Sequence, residues 1–226
     1  NSNCQIALEL NERDKMVGQT KQAKMLTDDQ LVELLGWVSR KTRFPERNTA
    51  IVLLSFKAGL RAREIAGLRW EHVTDNTGVI TDEQELALTN DATKGNSGRN
   101  IPIQPALRSA LRVLQVYERE KGRGSAGDYV MTLAKGNQNL ASRSNSIAVL
   151  FNGKSKVDGW YSSLGFVGCT SHSGRRTFIT NAARNISRFG GSLEDCRRLA
   201  GHASLVMTSR YIDRNSQAMK DLIRNS

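Results

Sequence analysis

The side chains best suited to chemistry in this 226-residue chain gather toward its end. His172 and Arg175 stand in Ser171-His172-Ser173-Gly174-Arg175-Arg176, and a helix opening here puts both on one face. His202 follows Leu199-Ala200-Gly201, and Tyr211 comes nine residues later. The third histidine, His72, follows Trp70-Glu71 and reads as a surface residue. Taken singly, each of these has a solvated or packing role as its simplest explanation. Their joint occurrence within one basic block is harder to dismiss, because arginine forks suit the oxygens of a phosphate.

Other chemistries fit poorly. Cys169-x-x-His172 has metal-ligand spacing, but Cys196 and His202 stand six apart and supply no second close pair, as a four-ligand structural zinc site requires. Neither a G-x-x-x-x-G-K-[ST] phosphate loop nor a G-x-S-x-G nucleophile elbow occurs.

The charge balance narrows the partner. There are 33 Lys+Arg against 22 Asp+Glu, a formal charge of +11, and a sequence pI of about 10.0. The segments 40–71 and 172–214 each carry eight basic side chains against three acidic ones, and the second block is all arginine. Such a surplus either serves solubility or attracts a polyanion, the commonest inside a cell being nucleic acid. With 38% hydrophobic and 24% charged residues the chain is an ordinary globule, expected to close one core. No apolar run approaches a membrane span and no leader reads as a signal peptide. Three scattered cysteines (Cys4, Cys169, Cys196) exclude a disulfide framework and fit a reducing cytoplasm.

The elements that must position these residues can be read from periodicity. Residues 1–25 lack it and read as a leader or linker stub; 26–226 read as one domain. Thr27-Asp28-Asp29-Gln30 is a capping-box pattern ahead of Leu31, Leu34, Leu35 and Val38 on one helical face. A second helix is expected near Asn48–Lys57, stopped by Gly59, and a third from Ala62 to Leu68. Val79-Ile80, Glu85–Thr89 and Asn100–Ile103 alternate and suggest a small antiparallel sheet. Helices return at Pro105–Lys121 and Ser142–Phe151, and residues 152–171 look irregular. The end reads as helices over Gly174–Ile186 and Ser192–Ala200, then a short segment around Tyr211. The fold class is α+β, mainly α-helical, with one small antiparallel sheet.

Four stretches, in order, resemble the boxes of the tyrosine recombinases, or phage integrases. Ala58-Gly59-Leu60-Arg61-Ala62-Arg63-Glu64-Ile65-Ala66-Gly67-Leu68-Arg69-Trp70 looks like the first arginine box. Thr93-Lys94-Gly95-Asn96, with Arg99 and Pro102 following, is similar to the lysine turn between two strands. His172-Ser173-Gly174-Arg175 matches the H-x-x-R box, and Leu199-Ala200-Gly201-His202 through Tyr211 matches the closing box. The resemblance implies a DNA breaking-rejoining catalytic fold. It also implies that Arg61, Arg175 and His202 bind the scissile phosphate, Lys94 protonates the leaving 5′ oxygen, His172 accepts or orients a proton, and Tyr211 attacks. The physics agrees: a free phenol, with a pKa near 10, is a weak nucleophile until cations and a base favour its deprotonation. Fixed donors must also meet the charge of a pentacovalent phosphorane. Glu64 either orients an arginine or forms a surface ion pair, and Trp160 and Tyr161 line either the site or the core.

By the same resemblance no cofactor and no metal is needed. The partners would be a double-stranded DNA recombination site and three further copies, as a homotetramer on DNA and a monomer alone. Accessory proteins could join them, no membrane is involved, and the location would be the cytoplasm, on the nucleoid. A type IB topoisomerase-like activity and a catalytically silent DNA-binding regulator are the alternatives. Three departures stand out: Gly174 and Arg176 replace a more usual apolar-Arg-His run, Arg188-Phe189-Gly190-Gly191 looks inserted, and the family's N-terminal core-DNA-binding domain is absent from this sequence.

Overall fold

The computed structural model describes residues 22–89, 98–132, 142–211 and 224. Lys94 and the 215–223 stretch lie outside the described residues. The domain begins where the capping box sits. Thr27 caps helix α1 (Asp28–Lys41), accepting from the Gln30 N–H while the Gln30 side chain returns to the Thr27 N–H. Helix α1 turns Leu31, Leu34 and Val38 inward.

Helix α2 (Pro45–Lys57) is the axle of the core. Its residues from Ala50 to Phe56 are all buried, so it must be enclosed on every side. Helix α1, helix α4 (Pro105–Arg119) and helix α7 (Ser173–Asn185) pack around it. Pro45 supplies the first-turn proline, starting the helix three residues before the expected Asn48. The helix ends as the glycine requires: Gly59 sits at φ +64°, beside the Phe178 ring.

Helix α3 (Ala62–Gly67) follows at once, then a 3₁₀ turn at Trp70–His72. His72 is buried here rather than on the surface, because its Nδ1 accepts the Arg69 N–H (3.1 Å) and closes that turn. Strands β1 (Glu85–Leu88) and β2 (Arg99–Pro102) pair antiparallel, with Leu86 opposite Ile101 and Leu88 opposite Arg99. Val79-Ile80 is not a third strand. Their carbonyls are taken by the Asp75 N–H and by Arg112, which leaves a latched turn instead of a ladder.

Helix α5 (Ser144–Asn152) packs on α3, and a short α6 (Trp160–Ser163) interrupts the stretch expected to be irregular. Trp160 and Tyr161 belong to the core, packed on Phe151 at ring-centroid distances of 4.8 and 5.4 Å. After α7 come a 3₁₀ turn (Ile186–Phe189) and the left-handed Gly190, then α8 (Leu193–Ala200), capped reciprocally by Ser192 and Asp195. Helix α9 (Leu205–Ser209) ends the described fold just before Tyr211. Among the described residues no helix is long and apolar enough to cross a membrane.

Candidate oxyanion site

Arg61, His172, Arg175, His202 and Tyr211 line one cleft of about 350 Å³, with Gln22, Arg176 and Arg210 at its edges. Five of the six residues singled out by sequence thus converge, although they come from four separate elements. Arg61 is the N-cap of α3, His172 the N-cap of α7, His202 follows the end of α8, and Tyr211 follows α9. Lys94 lies outside the described residues.

Arg175 is the fixed point. It is 4% exposed and donates from Nη1 to the Gly59 carbonyl and from Nη2 to the Ala200 carbonyl, both at 2.6 Å. Its position depends on Gly174. A Cβ there would fall 2.3 Å from Ser55 Oγ and 2.8 Å from the Phe56 ring, so only glycine lets α7 lie this close to α2. Burial first, and then the neighbouring Arg61 charge, pushes the Arg175 pKa down to about 10, so the group stays cationic at neutral pH.

Glu64 is a buried anchor, at 2% side-chain exposure, and not a surface partner. Its Oε1 accepts from Arg61 Nη1 (2.9 Å) and Arg99 Nη1 (3.1 Å). Its Oε2 accepts from the Arg61 N–H (2.8 Å) and Arg99 Nη2 (3.2 Å). Burial alone would raise this carboxyl. The Arg99 hydrogen bonds and charge, the Arg61 N–H and Arg175 outweigh it and hold the group below its ordinary value. Arg61 is tied to Glu64 through both its N–H and Nη1, and with 34% of its side chain exposed it still lines the cleft.

His202 is buried, and its Nδ1 lies 3.0 Å from Thr208 Oγ1. When that hydroxyl donates to Nδ1, the ring carries its proton on Nε2, available to an oxyanion. Burial, then Arg175 and Arg61, push its pKa down to about 4. His172 opens to solvent, yet desolvation by the cleft walls, followed by Arg175 and Arg61, lowers it as well. Both imidazoles are thereby biased toward the neutral form. The Tyr211 ring stacks on His202 (centroids 5.4 Å, planes at 26°), and its carbonyl accepts from Thr180 Oγ1 (3.2 Å).

The result is a concave set of two arginines and two imidazoles beside a phenol, with the start of α7 at the cleft adding its N-terminal dipole. That arrangement suits an oxyanion, and the phenol lines the same cleft. Among the described residues no cluster of three or more His, Cys, Asp or Glu gathers in metal-ligating fashion. Sequence reading placed Arg99 after the lysine turn without giving it a role, and did not single out Thr208 or Thr180. For Arg99 a signal existed: it falls two residues before Ile101 and four before Ile103, on the inward face of the strand.

The model of the phage integrase family matches residues 24–218. The tyrosine recombinase XerC of Brucella melitensis biotype 1 is 27% identical over 206 residues, covering 88% of this chain and 57% of XerC. The chain therefore spans a little over half the length of the curated relatives it matches. The fold matches XerA recombinase with a TM-score of 0.62 at 20% identity, over 91% of this chain and 64% of that one. It matches XerH site-specific recombinase bound to its difH substrate with a TM-score of 0.64 at 15% identity, over 88% and 53%. A lambda integrase tetramer bound to a Holliday junction gives 0.54 at 15% identity, over 84% and 48%.

Proposed function

Since the chain belongs to the phage integrase family, we propose that it is the catalytic domain of a tyrosine site-specific recombinase. It cuts and rejoins duplex DNA through a 3′-phosphotyrosyl bond. The observation that carries this reading is the meeting of Arg61, Arg175, His172, His202 and Tyr211 in one cleft, with Arg175 locked to two backbone carbonyls.

In the proposed reaction the scissile phosphate lies on Arg61, Arg175 and His202, which share the charge on its non-bridging oxygens. Tyr211 Oη forms a bond to phosphorus as the bond from phosphorus to the 5′ oxygen breaks. The phenol proton passes toward His172, and the departing 5′ oxygen takes a proton from Lys94. Reversal by a new 5′ hydroxyl rejoins the strand, the phosphotyrosyl ester having kept the bond energy, so neither ATP nor a metal enters. The duplex site is the substrate, and four copies exchange strands in pairs across two sites on the nucleoid. A relative's capture as a tetramer on a Holliday junction supports that stoichiometry.

A nicked suicide substrate, which traps the covalent adduct by losing the strand that would religate, tests the reading. Wild type should form a protein–DNA adduct on its recombination site, and Tyr211→Phe should form none. An adduct with Tyr211→Phe, or none with wild type, refutes the assignment. Relaxation of plasmid by the monomer without site preference would place the activity with topoisomerases.

A further inference from the structure

Arg99 stands at the start of β2, outside the roles described above, with only 5% of its side chain exposed. Its guanidinium reaches in two directions. Nη1 and Nη2 take both oxygens of Glu64 (3.1 and 3.2 Å), and Nε donates to the Leu199 carbonyl (3.0 Å). One planar group thus joins the start of α3, which Arg61 caps, to the end of α8, which His202 follows. The next carbonyl on, that of Ala200, holds Arg175. Space has been kept for this fork: Gly201, at φ +60°, comes so near that a Cβ would lie 2.7 Å from Arg99 Nη1.

The charge arrangement gives the contact a purpose. Among the described residues Glu64 is the carboxylate ion-paired to Arg61, Arg99 and Arg175, and any carboxylate there competes with a phosphate for the same guanidiniums. Its Oε2 stands 4.0 Å from Arg175 Nη1, beyond hydrogen-bond range, while that nitrogen is given to Gly59. Without the Arg99 fork, a buried carboxylate would lose two of its donors and be drawn toward Arg175.

We infer that Arg99 is a positioning residue: it holds Glu64 off Arg175 and fixes the end of α8, so that Arg175 stays open to the scissile phosphate. The inference rests on the recombinase reading above. A lysine cannot replace the fork, since one ammonium cannot reach both Glu64 oxygens and the Leu199 carbonyl in fixed geometry.

The test measures single-turnover adduct formation on the suicide substrate alongside DNA affinity by mobility shift. Wild type must form adduct in the same run; its failure would count against the recombinase reading and not against Arg99. Arg99→Met should slow cleavage roughly 10²-fold while leaving DNA affinity within about threefold, because the contact acts on the reacting phosphate. Adding Glu64→Gln to Arg99→Met removes the competing charge and should recover part of that loss, at least about threefold. Arg99→Lys, which keeps the buried charge balanced, should fold and still cleave roughly tenfold slower than wild type. The inference is overturned if Arg99→Lys matches wild type, if DNA affinity falls as far as the cleavage rate, or if the double variant is no better than Arg99→Met. Should Arg99→Met not fold, the Arg99→Lys rate and affinity decide alone.

Discussion

Replacing Gly174 by alanine adds one methyl group at the closest approach of α7 to α2. That methyl would meet Ser55 Oγ at 2.3 Å and the Phe56 ring at 2.8 and 2.9 Å, both side chains being buried. Ser55 can rotate; the Phe56 ring sits in packed core and cannot move freely. Overpacking of this kind costs about 1–3 kcal/mol, and the better helix propensity of alanine returns up to about 1 kcal/mol. A net loss of about 1–2 kcal/mol corresponds to a fall in Tm of roughly 2–8 °C for a domain of this size. The kinetic effect should be larger in proportion, since the next residue is Arg175. Any retreat of α7 lengthens its 2.6 Å bonds to Gly59 and Ala200 and moves the guanidinium off the phosphate it is proposed to hold. A displacement approaching 1 Å is worth up to about 10²-fold in rate, and a 10- to 100-fold slower adduct formation is expected for Gly174→Ala. The assay pairs thermal unfolding with single-turnover cleavage, and adds Gly174→Ala/Ser55→Ala. Removing Oγ takes away the nearest clash but not the ring, so rate and Tm should recover only in part. A Gly174→Ala protein as stable and as fast as wild type would refute the claim that this glycine sets the arginine.

Three further outcomes follow from the geometry. Thr208→Val removes the partner of His202 Nδ1 and should slow cleavage roughly tenfold, with Thr208→Ser near wild type, in the same single-turnover assay. Because the folded pKa of His202 is about 4, the unfolded chain takes up its proton first as pH falls. The His202 contribution to stability is complete above about pH 6.5 and is lost as pH falls toward 4; denaturant titrations should show this, and His202→Gln should flatten the slope in that window. Gly59→Ala places a Cβ 2.3 Å from the Phe178 ring at φ +64°, and should cost more than about 2 kcal/mol in denaturant unfolding.

Local rules made the helices legible. The Thr27 and Ser192 boxes, Pro105 and Gly59 all mark ends where the chain does turn, because caps and left-handed glycines act over a few residues. Val79-Ile80 and His72 misled for the opposite reason. Their surroundings are set by Arg112 and Arg69, and alternation cannot show that a side chain has taken a strand's carbonyl or that a ring nitrogen closes a turn. The residues that meet in the cleft were legible as residue types at fixed spacing. Their scaffold was not: Glu64, Arg99 and Leu199 meet across 35 and 100 positions of sequence, and burial of one charge depends on where the other two fold.

The anchoring of Arg175 has a consequence for how the domain opens. Its two carbonyl partners stand 116 and 25 residues away in sequence, at the end of α2 and the end of α8. A fluctuation that frees either segment releases the guanidinium as well, so opening of the Arg175 side of the cleft is coupled to both segments. Amides around Gly59 and Ala200 should exchange with solvent deuterium only through the same rare opening that frees the core. An oxyanion held by Arg175 would then slow exchange across the whole of that cooperative unit, and not merely at the rim it touches.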